Sequence, residues 1–87
     1  MRADKEKVTR LLKTARGQLD GLMKMVEEDR YCIDISNQLL AAQAILRTIN
    51  REVLTAHLSS CVEESLASGD GHEKLVEIMQ IIDKLAK

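Results

Sequence analysis

Phenylalanine, tryptophan and proline are absent from this 87-residue chain, and Tyr31 is its sole aromatic side chain. A core without aromatics must be built from Leu, Ile, Val, Ala and Met, and without proline no helix is cut short by a missing backbone donor. That composition argues against strands and predicts long helices joined by few turns. Cysteine is scarce too, with two residues. A domain this small buries too little of its own surface to be robust unaided, so self-association is the expected supplement to its core. No run approaches the roughly 20 apolar residues needed to cross a bilayer, and Met1 to Lys7 leads into no hydrophobic signal core. The chain is therefore expected in the cytoplasm, where two cysteines are more often reactive or metal-binding than a structural staple.

An overall excess of charge is missing as well, the net value being −1. Its distribution is uneven. Residues 1–24 hold seven cations (Arg2, Lys5, Lys7, Arg10, Lys13, Arg16, Lys24) against the three anions Asp4, Glu6 and Asp20. For a lone protomer this is a solvated helix face, but several copies brought together would form a phosphate-binding surface.

Three helical segments can be read from the apolar spacing. From Lys5 to about Asp29, Val8, Leu11, Leu12, Ala15, Leu19, Leu22, Met23 and Val26 recur at three- and four-residue steps, which places them on one side of an amphipathic helix. Gly17 and Gly21 weaken that helix and are expected where another helix approaches closely. Periodicity breaks over Glu27 to Tyr31, where a short turn is expected. From Asp34 to about Ser65 there is neither Gly nor Pro, and Ile35, Leu39, Ala42, Leu46, Ile49, Val53 and Ala56 alternate steps of four and three. This is the pattern of a seam against another helix. Leu40, Ile45, Leu54 and Leu58 lie partly off it, so the helix should be covered on more than one side. Ser68-Gly69-Asp70-Gly71 predicts a turn, and Leu75, Ile78, Met79, Ile82 and Leu85 form the apolar face of a shorter third helix. With no repeat or linker, residues 1–87 are read as one all-α domain.

His57 and Cys61 are four apart on the second helix, so their side chains stack one turn apart, within reach of a single ion. Alone, that pair also describes a buried cysteine beside a hydrogen-bonded histidine. Cys32 adds to it through geometry. It lies at the start of the same helix or just before it, and the residues separating it from His57 span about 37 Å at 1.5 Å per residue, so the three cannot meet within one straight helix. If two copies of the second helix pack antiparallel, Cys32 of one copy meets His57 and Cys61 of the other, giving two equivalent sites related by twofold symmetry. The same pairing would bury the apolar seam. Two thiolates and one imidazole make a soft, three-coordinate set suited to copper(I); zinc with a water in its fourth place is the alternative.

Three stretches carry a likeness to a known family: Arg16-Gly17-Gln18 with Gly21, Tyr31-Cys32-Ile33-Asp34-Ile35 with Gln38, and His57-Leu58-Ser59-Ser60-Cys61-Val62. Over nearly its whole length the sequence resembles the copper-sensitive operon repressor (CsoR) family of bacterial regulators. The resemblance implies a three-helix protomer in an antiparallel four-helix-bundle homodimer that pairs into a tetramer. It implies operator DNA as partner, bound without a helix-turn-helix and released when copper(I) binds. The family's metal-binding cysteine, histidine and cysteine fall on Cys32, His57 and Cys61. Its outer tyrosine and glutamate, which tie the histidine to the third helix, fall on Tyr31 and Glu77. Metal binding would then orient His57, engage Glu77 and Tyr31, and shift the third helix.

For DNA contact the favoured residues are Arg10, Lys13 and Arg16 of the first helix with Arg47 and Arg51 of the second, the last two sharing a face. His72 is read as a helix-start residue with no role. Relatives that sense other signals differ in their ligands. A persulfide sensor keeps both cysteines but usually lacks the histidine; nickel and cobalt sensors add a histidine near the N-terminus, and positions 2 to 7 have none; formaldehyde sensors lack the second cysteine. Outside the family, a copper-storage protein without DNA binding is the competing reading. An enzyme is the least expected class, for lack of a nucleophile with a base and of a phosphate-binding loop.

Overall fold

The structure, a computed structural model, describes residues 1–69 and 71–86, with His72, Lys74, Leu85 and Ala86 as backbone only. Three helices account for nearly all of it: α1 (Lys5–Glu27), α2 (Cys32–Ser68) and α3 (Gly71–Ala86). Among the described residues there is no strand. Asp70 of the expected turn and the side chain of Leu85 lie outside what is described.

The end of α1 and both ends of α2 have local causes. At the end of α1, Asp29 adopts φ 51, its amide donates to the Val26 carbonyl (3.1 Å), and the Arg30 amide reaches back to Met25 (3.0 Å). This paired closure satisfies two of the carbonyls that a helix leaves without partners. It puts the break within the predicted turn. The Tyr31 carbonyl accepts the Ile35 amide (3.2 Å) to start α2, and Asp34 in its first turn favours the positive end of the helix dipole. At the other end Gly69, at φ 78, closes α2 through a bond from its amide to the Ser65 carbonyl (3.0 Å). α2 starts two residues before and ends three residues beyond the bounds read from the sequence.

The chain forms two compact units. The first, Lys5–Ile49, is a hairpin of α1 and the leading half of α2. Its core is a narrow seam. Val8, Ala15 and Leu22 of α1, spaced by sevens, are buried with Ala42 and Ile49 of α2; Leu11, Gln18, Met25, Ile35 and Ile45 are half-buried beside them. The small Ala15 and Ala42, 4% and 5% exposed, suit a close helix-to-helix approach. Within this seam Gln18 Oε1 is buried without a hydrogen-bond partner.

The apolar side of α1 read from the spacing is only partly buried within the chain. Leu12, Leu19, Met23 and Val26 stay exposed, and so do Leu39, Leu40 and Leu46 of α2. Two neighbouring stripes run along each helix, and the hairpin consumes one of each. A Cβ added at Gly17 or Gly21 would meet nothing within 4 Å, so among the described residues no other helix of this chain packs closely on them.

The second unit joins Met1–Asp4 to Asn50–Lys87, the trailing half of α2 with α3. Cys61 and Ile81 form its core together with Ala3. Val53, Leu54, Ala56, His57, Leu58, Ser60 and Ser65 are half-buried, so this part of α2 is covered on more than one side, as read from its sequence. An ion pair of 2.5 Å between Arg2 and Glu64 lies in the same unit.

Candidate metal centre

Helical spacing alone brings two donors together. On α2, one turn apart, Cys61 Sγ lies 3.4 Å from His57 Nε2. A third group arrives from α3. Glu77 stands one turn before Ile81, which anchors α3 in the core at 6% exposure, and its Oε1 lies 2.6 Å from the same His57 Nε2. One ligand atom from each of His57, Cys61 and Glu77 falls within 4.8 Å of the others. Cys61 is the most deeply buried side chain among the described residues, at 2% exposure, whereas His57 and Glu77 are half-buried. A polar contact exposed to that degree competes with water and adds little stability. Its effect is orientation.

The shared nitrogen sets the chemistry. A carboxylate oxygen accepts, so in the neutral tautomer that donates to Glu77 the proton is on Nε2 and the lone pair is on Nδ1. An ion held by Cys61 and the imidazole therefore has two routes. It takes Nδ1 after the ring turns, keeping the Glu77 hydrogen bond, or it takes Nε2 and displaces the proton. A pocket lined by Met1, Arg2, Leu54, Gln80 and Lys84 with His57 and Glu77 gives access to the ring.

The predicted ligands are divided. His57 and Cys61 meet, while Cys32, the first residue of α2, has an exposed thiol and does not join the cluster. Tyr31, one residue earlier, is 67% exposed. Glu77, assigned beside the histidine by resemblance, is at hydrogen-bonding distance from it. Arg10, Lys13, Arg16 and Arg47 are all exposed in the hairpin unit, and Arg51 is exposed in the other. The sequence reading missed the packing of the N-terminal residues, namely the Arg2 contact with Glu64 and the burial of Ala3. A few residues ahead of a helix carry no periodicity that could have signalled it.

Comparison with known proteins follows the same lines. Residues 4–84 match the family described as metal-sensitive transcriptional repressor. The chain is 37% identical over 84 residues to the copper-sensing transcriptional repressor CsoR of Bacillus subtilis (strain 168), with 97% of this chain and 83% of that protein covered. Among solved structures, it superposes on the copper-sensing repressor CsoR with Cu(I) from Geobacillus thermodenitrificans NG80-2 at a TM-score of 0.80 and 39% identity, covering 100% of this chain and 94% of that one. The nickel-responsive transcriptional regulator InrS gives a TM-score of 0.87 at 25% identity, covering 98% and 96%.

Proposed function

The chain belongs to the metal-sensitive transcriptional repressor family, and from that premise we propose that it represses transcription by binding operator DNA and releases it in response to copper(I). The ligands are Cys32 of one protomer with His57 and Cys61 of another. The observation that carries this reading is the His57–Cys61 pair, 3.4 Å apart and steered by Glu77, on a helix whose first residue is an exposed thiol. Two thiolates and an imidazole are a soft set that would suit copper(I), with Cys32, His57 and Cys61 as the residues that would hold it.

The protein's own groups do the rest. Glu77 fixes the tautomer and tilt of His57 and carries its position to α3, with Tyr31 as the outer partner of the ring supplied across the interface. Arg10, Lys13 and Arg16, with Arg47 and Arg51, take the phosphates. The open stripe of Leu12, Leu19, Leu39 and Leu46 supports antiparallel pairing into a four-helix-bundle homodimer, which pairs again into a homotetramer. Residues 1–87 then act as one domain of that assembly, in the cytoplasm where the operator is.

Two features weigh on the alternatives. Burial of Cys61 to 2% disfavours sensing of reactive sulfur, because the reagent must reach that thiol. The exposed arginines and lysines of α1 favour a DNA partner over a storage role. The test is a copper(I) titration of wild type and His57→Ala followed by fluorescence anisotropy of a labelled promoter fragment. For the wild type, copper(I) should weaken DNA binding by about 10-fold or more, within the usual range of allosteric couplings. His57→Ala should still take up copper through its thiolates yet release DNA far less. Equal release by the two proteins would overturn the mechanism.

A further inference from the structure

We propose that His57 Nε2, Cys61 Sγ and the Glu77 carboxylate form, within a single chain, a second coordination site for a borderline divalent cation of the zinc class, exclusive of the copper(I) site. Only the exclusivity rests on the copper reading. The site itself stands on three donor atoms lying within 4.8 Å of one another in one compact unit.

The distances fit a small tetrahedral ion. Zn–N near 2.0 Å and Zn–S near 2.3 Å at a tetrahedral angle place nitrogen and sulfur about 3.5 Å apart. Sγ and Nε2 are separated by 3.4 Å. The nitrogen and oxygen, now at 2.6 Å, would open to about 3.3 Å to accept an ion in place of the proton. A small carboxylate rotation is enough, and Glu77 is half-buried with freedom to make it. The fourth position falls to water, the pocket beside His57 and Glu77 providing the way in.

Donor chemistry separates the two metals. A nitrogen, a sulfur and a hard carboxylate oxygen suit Zn(II), whereas copper(I) gains little from the oxygen and prefers a second thiolate. Charge agrees: one thiolate and one carboxylate neutralise a dication. Glu64, three residues beyond Cys61 on α2, is engaged by Arg2 and is not among the three grouped donors. Binding displaces the Nε2 proton and the Cys61 thiol proton into solvent and substitutes a metal bridge between α2 and α3 for the hydrogen bond. Because Cys61 and His57 serve both modes, an ion in one excludes the other. No partner subunit is needed for the zinc mode, while the copper mode requires Cys32 from a neighbour.

The experiment is a Zn(II) competition titration of the full chain against a chromophoric chelator, repeated with Co(II) as spectroscopic probe. Wild type should bind one Zn(II) per chain. Cys32→Ser, altered at an exposed thiol, should hold Zn(II) within about twofold of wild type, and Glu77→Gln should weaken it by at least about 10-fold, since loss of even an outer partner costs that much. The Co(II) complexes of wild type and Cys32→Ser should share the thiolate-to-cobalt charge-transfer band of a single sulfur. A 10-fold loss in Cys32→Ser, or unchanged affinity in a Glu77→Gln protein of intact helix content by circular dichroism, would overturn the proposal. The copper reading fails separately: copper(I) binding unaffected in Cys32→Ser would remove it and leave the zinc site standing.

Discussion

One ring nitrogen of His57 faces both the sulfur of Cys61 at 3.4 Å and the carboxylate of Glu77 at 2.6 Å. What the imidazole does therefore depends on which group holds its proton, a property of the residue that no helix pattern encodes. A second residue is strained on different grounds. Asp29 sits at φ 51, in a region where a side chain costs energy that glycine avoids. Its carboxylate is exposed, and the turn is held by backbone bonds that glycine would keep. Asp29→Gly is expected to stabilise the protein by about 0.5–1 kcal/mol, after allowance for the extra freedom glycine gives the unfolded chain. Thermal melts at fixed protein concentration should show a rise of a few degrees. A lowered melting temperature would mean that the Asp29 side chain does more for the turn than its backbone geometry indicates.

At the scale of elements, the seam between α1 and the leading half of α2 is set by small residues as much as by large ones. Ala15 and Ala42 are almost fully buried, so Ala42→Leu has no room to enter without pushing the helices apart. A cost of about 1–3 kcal/mol is expected from such overpacking, read from denaturant unfolding at constant protein concentration. Little or no loss would argue that the seam is loose. Helix existence, order and approximate bounds were legible because proline is absent and apolar residues recur at helical spacing. Partition of those residues was not. Val8, Ala15 and Leu22 are buried while Leu12, Leu19 and Val26, one stripe over, are open, and chemically the two sets are alike. Periodicity says which side of a helix is apolar, but contact geometry decides which stripe meets the sister helix. The candidate site divides in the same way. His57 and Cys61 were readable from their spacing, and Glu77 only from the family likeness, because it is twenty positions along the chain, across a turn, from the histidine it bonds.

For the whole molecule, the exposed leucines are the surface on which the proposed assembly depends. Leu39 and Leu46 are 46% and 47% exposed, and a charge there should not disturb the hairpin seam itself. Leu46→Glu is expected to shift the protein from oligomer to monomer in sedimentation velocity and to abolish the copper(I) stoichiometry of the wild type, because a buried unpaired carboxylate at a helix interface is strongly unfavourable. An unchanged sedimentation coefficient would place the interface elsewhere. The recurrence of these residues has a further geometric outcome. Residues that return every seventh position fall short of two full turns of an α-helix by about 20°, so a strip made of Leu12, Leu19 and Val26 drifts around its axis as it ascends. Two rods can remain in register along such a strip only by coiling about each other in a left-handed sense, and any helix that docks here must share that handedness and pitch.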